Sequence, residues 1–481
     1  MQTSNKVVPG LIYSEPKGKW RQAFRTVIIM LTGFIWLQMP VACAQKTLPR
    51  PATQHPGQQQ PALTDSALLT LVQQNTFQYF YEAAEPNSKM ARERIHMDGV
   101  YPEQDQNVVT TGGSGFGIMA LLVGIERRFI TRQQGYDRLE QMVSFLEKAD
   151  TYHGAFSHWY EGATGKTKPF GTKDNGGDLV ETSFLMQGLL CARQYFLKGN
   201  STEKQLAGRI DKLWRAVDFN WYTRGQNVLY WHWSPTYDWQ MDFQVHGYNE
   251  CLLMYVLAAA SPTHTVDTAV YHQGWAMNGK IRRSSRYDGT TLQFFHQGDL
   301  PNGGPLFWSQ YSYLGLDPNG LKDRYGDYGQ ENKNQTLINY RWCVDNPKGY
   351  KGYGPESWGL SASYSIGGYM AHAPNLLADI GVISPTAALS SFPYTPEKSM
   401  QALRYFYEKL GPKLWGKYGF YDAFSETDNW FPDRYLAIDQ GPIVVMIENY
   451  RSGLLWKLFM SCPEVSQGLT KLGFQWPHSL N

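Results

Sequence analysis

Two kinds of helix alternate along more than 400 residues of this chain, and that alternation limits its fold more than any other feature. The first kind carries one apolar stripe. In 201–218, "STEKQLAGRIDKLWRAVD", Leu206, Ile210, Leu213, Trp214 and Val217 recur at helical spacing with charges between them. Residues 131–149 repeat the pattern with Leu139, Met142, Val143 and Leu146, and 64–83 make another such helix. In 395–411, Thr395 is expected to cap and Pro396 to take the first turn, and Met400, Leu403, Tyr407 and Leu410 form the stripe before Gly411 ends it. Segments 263–278 and 331–345 are fainter members. The second kind is apolar almost all round and opens on a Gly-, Asn- or Pro-bearing loop. Its members are "GGSGFGIMALLVGI" from Gly112, "DLVETSFLMQGLLCARQYF" from Asp178 and "HGYNECLLMYVLAAA" from His246. "PLFWSQYSYLGL" from Pro305, "ESWGLSASYSIGGYMA" from Glu356 and "DQGPIVVMIENYRSGLLW" from Asp439 extend the series less regularly. A helix without a polar face has to be surrounded by protein.

Six buried helices alternating with six amphipathic ones imply two concentric rings, an all-α (α/α)6 toroid. The first three inner starts lie about 66 residues apart, the length of two helices and their loops. This makes 64–481 a single domain where length alone would allow two or three. Long aromatic loops such as "YHGAFSHWYEGATGKTKPF" are expected at the cleft, with "ATGK" as a hairpin turn.

Residues 1–44 read as a secretory signal. Lys17, Lys19, Arg21 and Arg25 precede the apolar run "TVIIMLTGFIWLQM", and Ala42-Cys43-Ala44 fits small-x-small cleavage before Gln45. Lipoprotein anchoring through Cys43 is the alternative, with Pro40 unfavourable for it. The run is too short for a membrane anchor, so a periplasmic or secreted location is expected. Residues 45–63 form a Pro/Gln-rich linker. With 44 Lys and Arg against 42 Asp and Glu, and no basic stripe, nucleic acid is excluded as a partner. Cys191, Cys251, Cys343 and Cys462 show no zinc spacing, so neither a metal, a cofactor nor a disulfide framework is expected. A monomer is expected.

In such a toroid the inner helices point their N-termini toward one end, which collects acids distant in sequence. These are Asp174, Asp178 and Glu181, then Glu250, Glu356 and Asp439, with Glu448 deeper and open to pairing with Arg451. Carboxylates in an aromatic mouth suit glycoside hydrolysis, in which one acid protonates the leaving oxygen and another activates water. Aromatics make up 15% of the chain, an excess that also favours carbohydrate. Asp178-x-x-Glu181 equally has the form of a capping box. If "HGYN" forms a first helical turn, Glu250 opens an apolar helix with no basic neighbour, and burial would raise its pKa as a general acid requires. His246, Asn249, Trp159, Trp308, Gln310, Tyr353 and Glu356 are candidate sugar contacts.

"GYGPESWGLSAS", "LWGKYGFYDAFSE" and "YLAIDQGPIVVMIENYRSGLLWKLFM" resemble the glucoamylase-like domain family, and within it glycoside hydrolase family 144. The resemblance runs from about Leu68 to Trp476. It implies an (α/α)6 toroid without metal that hydrolyses β-1,2-glucan to sophorooligosaccharides with inversion. By position it implies Asp174, Asp178, Glu181, Glu250 and Asp439 as cleft acids. Within that set we expect Glu250 as the acid and Asp439 as the base, about 6.5–9.5 Å apart as an inverting pair should be. Exo-acting release of sophorose and a catalytically inactive glycan-binding protein are the alternatives.

Overall fold

The computed structural model describes residues 63–477; the expected signal segment and nearly all of the linker lie outside them. The helices are α1 Asp65–Tyr81, α2 Thr111–Glu126, α3 Arg132–Leu146, α4 Leu179–Phe196, α5 Ser201–Ala216, α6 Leu252–Ala260 and α7 Tyr328–Asp345. They continue with α8 Pro385–Leu389, α9 Pro396–Arg404, α10 Gly411–Leu414, α11 Ala437–Ser452, α12 Leu454–Met460 and α13 Pro463–Leu472. Among the described residues no helix is long and apolar enough to cross a membrane, and Cys191, Cys251, Cys343 and Cys462 are free and buried.

The architecture is the (α/α)6 toroid. α2, α4, α6, α8 and α11 form the inner ring, and the segment after Pro305 completes it as two 3-10 turns, Leu306–Ser309 and Ser312–Leu314. Residues Thr111 to Ile125 of α2 are all buried, as an inner helix demands. α2 and α4 cross so closely that a Cβ on Gly188 would sit 2.1 Å from the Gly115 carbonyl oxygen. The outer layer is amphipathic: α3 buries Leu139, Met142, Val143 and Leu146, and opens on a capping box between Thr131 and Gln134.

Four local expectations are corrected. The stretch from Glu356 is not a helix: Ala362–Ser365 and Gly368–Ala371 form an antiparallel hairpin, and the short α8 takes the inner-ring place. Gly367-Gly368 between alternating residues is a hairpin signal that outweighs the apolar composition. The segment from His246 does not start a helix there; α6 begins at Leu252, and Glu250 lies in the turn before it. Thr395 caps nothing with its side chain, because its hydroxyl turns to the Ser391 carbonyl. Glu448 pairs with Arg127 at 2.7 and 2.9 Å, while Arg451 bonds Thr70 and Gln73.

Candidate active site

Asp178, Glu181, Glu250 and Asp439 come from the starts of inner elements, and Asp174 from the loop that leads into α4. Asp178 is the N-cap of α4, and one of its carboxylate oxygens accepts the Val180 and Glu181 amides at 3.0 and 2.9 Å. The capping box goes no further. Instead of folding back, Glu181 crosses to α2 and accepts the Gly112 amide at 2.7 Å. Gly112 permits this approach, since a Cβ there would lie 2.5 Å from Glu181 Oε2.

The other Asp178 oxygen meets groups that the sequence did not single out. His158 Nδ1 lies 2.9 Å from it and the Trp231 indole N–H 3.1 Å. His232, paired with Asp178 across a two-residue ladder, places Nε2 3.1 Å from Asp174 and 3.6 Å from Asp178. His158 Nε2 reaches to 3.9 Å from Glu181, and its ring stacks on Phe170 at 3.8 Å. Burial opposes charge on His158, but Glu181, Asp178 and Asp174 together push its pKa up to about 10. Asp178 is also buried, yet His158, His232 and the α4 amides hold it below the ordinary aspartate range. Burial lifts Glu181 to about 7 against the pull of His158.

His158 Nδ1 and oxygens of Asp174 and Asp178 lie within 4.8 Å of one another, the one such set of metal-ligand types among the described residues. A protonated imidazole already supplies the positive charge that these carboxylates face.

Glu250 sits apart from these cations. The Ser312 hydroxyl accepts the Leu253 amide at 3.0 Å and donates to the Glu250 carbonyl, pinning the turn before α6. The side chain is 8% exposed, Oε2 has no hydrogen-bond partner, and burial pushes the carboxyl up to about 8, with Glu181 and Asp178 adding to the shift. It therefore holds its proton at neutral pH.

Asp439 lies in the first turn of α11, its carbonyl accepting the Thr386 hydroxyl of α8 at 2.9 Å. Neither of its carboxylate oxygens has a well-aligned donor. The adjoining carboxyl is Asp422, whose Oδ2 accepts the Tyr364 amide at 2.6 Å. Burial and the neighbouring Asp422 charge raise Asp439 well above the usual range. The Tyr311 hydroxyl feels both Asp439 and Glu250, which links the two sides of the cluster.

The expected sugar contacts fare differently. Trp159 stands beside His158 at 5.7 Å, with the Arg94 guanidinium 5.5 Å over its ring and its indole nitrogen unpartnered. Gln310 is buried and donates to the Ala387 carbonyl at 3.0 Å, and Trp308 is core beside His296. Asn249 donates to Gln297 and accepts the Cys251 amide, while His246 contacts the Gly274 carbonyl and Gln244. Tyr353 is committed to Asp379 at 2.8 Å, and Glu356 is exposed on the side of Tyr405. The hydrogen bonds and ring contacts of these last five run to residues outside the acid cluster, although Asn249 holds the turn that carries Glu250. Sequence reasoning missed His158, Trp231, His232, Asp422 and Tyr369; of these, His158, Asp422 and Tyr369 stood within quoted segments but were not singled out, and Trp231 and His232 stood in none.

The family described as "Putative glucoamylase" matches residues 242–463. The endo-β-1,2-glucanase of Chitinophaga pinensis, solved with sophorotriose and glucose, is 67% identical, with a TM-score of 0.86 over 86% of this chain and 100% of that one. The chain belongs to glycoside hydrolase family 144, the glucoamylase-like β-1,2-glucanases. An exo β-1,2-glucooligosaccharide sophorohydrolase of Parabacteroides distasonis is 47% identical over 85% of this chain, which spans 58% of that relative's length. The endo-β-1,2-glucanase of Talaromyces funiculosus shares the fold at 13% identity, with a TM-score of 0.61 over 85% of this chain and 88% of that one.

Proposed function

We propose that this family 144 chain is an exported, endo-acting, inverting β-1,2-glucanase that releases sophorooligosaccharides. The observation that carries the chemistry is the difference between two buried acids, Glu250 away from any cation and Asp439 against Asp422. Glu250 is kept protonated by burial and lacks a cation, which suits it to protonate the leaving glycosidic oxygen. Asp439, across Tyr311, shares a proton with Asp422 and turns one unpartnered oxygen to the proton of an attacking water. The proton of water goes to the Asp439 side, water oxygen bonds C1 as the C1–O bond breaks, and the Glu250 proton goes to the leaving hydroxyl. Asp174, Asp178 and Glu181, fixed by His158 and His232, hold sugar hydroxyls beside Glu250. Endo action is favoured over exo because the chain is 67% identical to the Chitinophaga endo-glucanase and 47% identical to the Parabacteroides exo-enzyme.

Linear β-1,2-glucan, chromatography of its early products and NMR of the first anomer formed test the reading together. A ladder of chain lengths with the α-anomer appearing first is expected. Sophorose alone from the first minutes would mean exo action, and a β-anomer would overturn inversion. N-terminal sequencing of the mature protein tests export, with Gln45 expected as the first residue.

A further inference from the structure

Asp422 is the acid that the proposed reaction does not yet use. It lies on the segment after the strand Gly419–Phe420, is 2% exposed, and abuts the 1%-exposed carboxyl of Asp439. Three of the four oxygens of this pair, both of Asp439 and Oδ1 of Asp422, find no conventional donor among the described residues. Two buried carboxylates in contact cannot both stay charged, so the pair must hold a proton between them. The surroundings decide where the remaining charge rests. The Tyr364 amide points at Asp422 Oδ2 at 2.6 Å, and no backbone amide serves Asp439. Around the pair stand Glu93 and Arg94 at the start of the strand Arg94–His96, Tyr364 and Tyr369 from the hairpin above, and Tyr311 from the inner ring. Only Arg94 among these is cationic, and Glu93 opposes it.

We propose that Asp422 is the proton acceptor behind Asp439, a positioning residue that completes a carboxyl dyad and draws the water proton through Asp439. In the resting pair the proton lies on Asp439 and the charge on Asp422. As water attacks C1, one Asp439 oxygen takes the water proton while its other oxygen passes the original proton to Asp422. The electron pair of the broken O–H bond becomes the new C1–O bond, the negative charge ends on Glu250 as its proton goes to the leaving oxygen, and after product departs the dyad loses one proton and Glu250 regains one. Asp439 acts in this way as a carrier with an oxygen on each side, which accounts for both of its oxygens being unclaimed.

The inference rests on Asp439 being the base, and its test separates the two. Asp439→Asn should abolish turnover of β-1,2-glucan; normal turnover would sink the base assignment and the dyad with it. Asp422→Asn replaces the acceptor with an amide donor that stabilises ionised Asp439. The acid limb of kcat/KM, expected near neutrality in the wild type because burial pushes Asp422 up to about 7, should then move down by one pH unit or more. The plateau should fall about 10²-fold or more, as the surviving base is weaker. With Asp439→Asn inactive, an Asp422→Asn variant that keeps the wild-type pH limb overturns the dyad alone. If Asp422→Asn does not fold, difference infrared spectra of protein labelled with 13C-aspartate give the second readout. A protonated aspartate band above pH 5 that disappears in Asp439→Asn is expected, and a band unchanged by that substitution refutes the inference.

Discussion

Replacing Glu250 with Gln should make the protein far less active and, at alkaline pH, more stable. The side chain is buried, its Oε2 is unpartnered, and burial moves the carboxyl from an ordinary 4.5 to about 8. The unfolded chain loses this proton first as pH rises, so the folded state loses stability across the window from 4.5 to about 8 and the loss is complete above it. At about 1.36 kcal/mol per pH unit, the loss is ~5 kcal/mol. Gln has nearly the same shape and no proton to lose. The stability difference between Glu250→Gln and wild type should therefore shift in the variant's favour by up to ~5 kcal/mol between pH 5 and pH 9. Urea unfolding at the two pH values measures it, because groups common to both proteins cancel in the difference. In the same preparations kcat/KM should fall about 10²–10⁴-fold, and the alkaline limb near pH 8 should vanish. A stability gap that is the same at both pH values would show that Glu250 is not held protonated, and the general-acid argument would go with it.

Three other substitutions probe the supports of the site. His158→Gln removes the cation between Asp174, Asp178 and Glu181. Since the folded pKa of His158 is raised to about 10, its contribution is complete below pH 6.5 and lost as pH rises through 10. The variant should be destabilised by about 3–5 kcal/mol near pH 6, with the gap in Tm closing toward pH 10. Gly188→Ala drives a Cβ to 2.1 Å from the Gly115 carbonyl and should separate α2 from α4, costing about 1–3 kcal/mol or more by denaturant titration. Arg127→Ala leaves Glu448 buried without its bidentate partner and should cost about 3–5 kcal/mol, while the folded fraction keeps its kcat.

Much of the toroid could be read from periodicity because a helix's environment is written in its own residues. An all-apolar stretch such as "GIMALLVGI" has no place but the inner ring, and the stripe of 201–216 has one buried side. Reading failed where apolar residues carried the other period. "SASYSIGGYMA" alternates by two around a Gly pair, and it became the hairpin that holds Tyr364 and Tyr369 over the site. The segment from Pro305 shortened to 3-10 turns, and the Asp178–Glu181 box opened because the Gly112 amide offered Glu181 a partner 69 positions away.

The sequence by itself determined most of the ring of buried helices and gathered acids at their starts, Glu356 among them; the family resemblance narrowed these to Asp174, Asp178, Glu181, Glu250 and Asp439. Only the tertiary structure decided what each acid can do. Glu181 and Asp178 are three residues apart and both buried, yet one is raised and the other lowered by how His158, His232 and the amides meet them. Burial raises Glu250, with Glu181 and Asp178 adding to it, and burial raises Asp439, with the charge of Asp422 adding to it. Protonation depends on burial and on charges a few ångströms away through space, and those neighbours come from segments up to hundreds of residues distant.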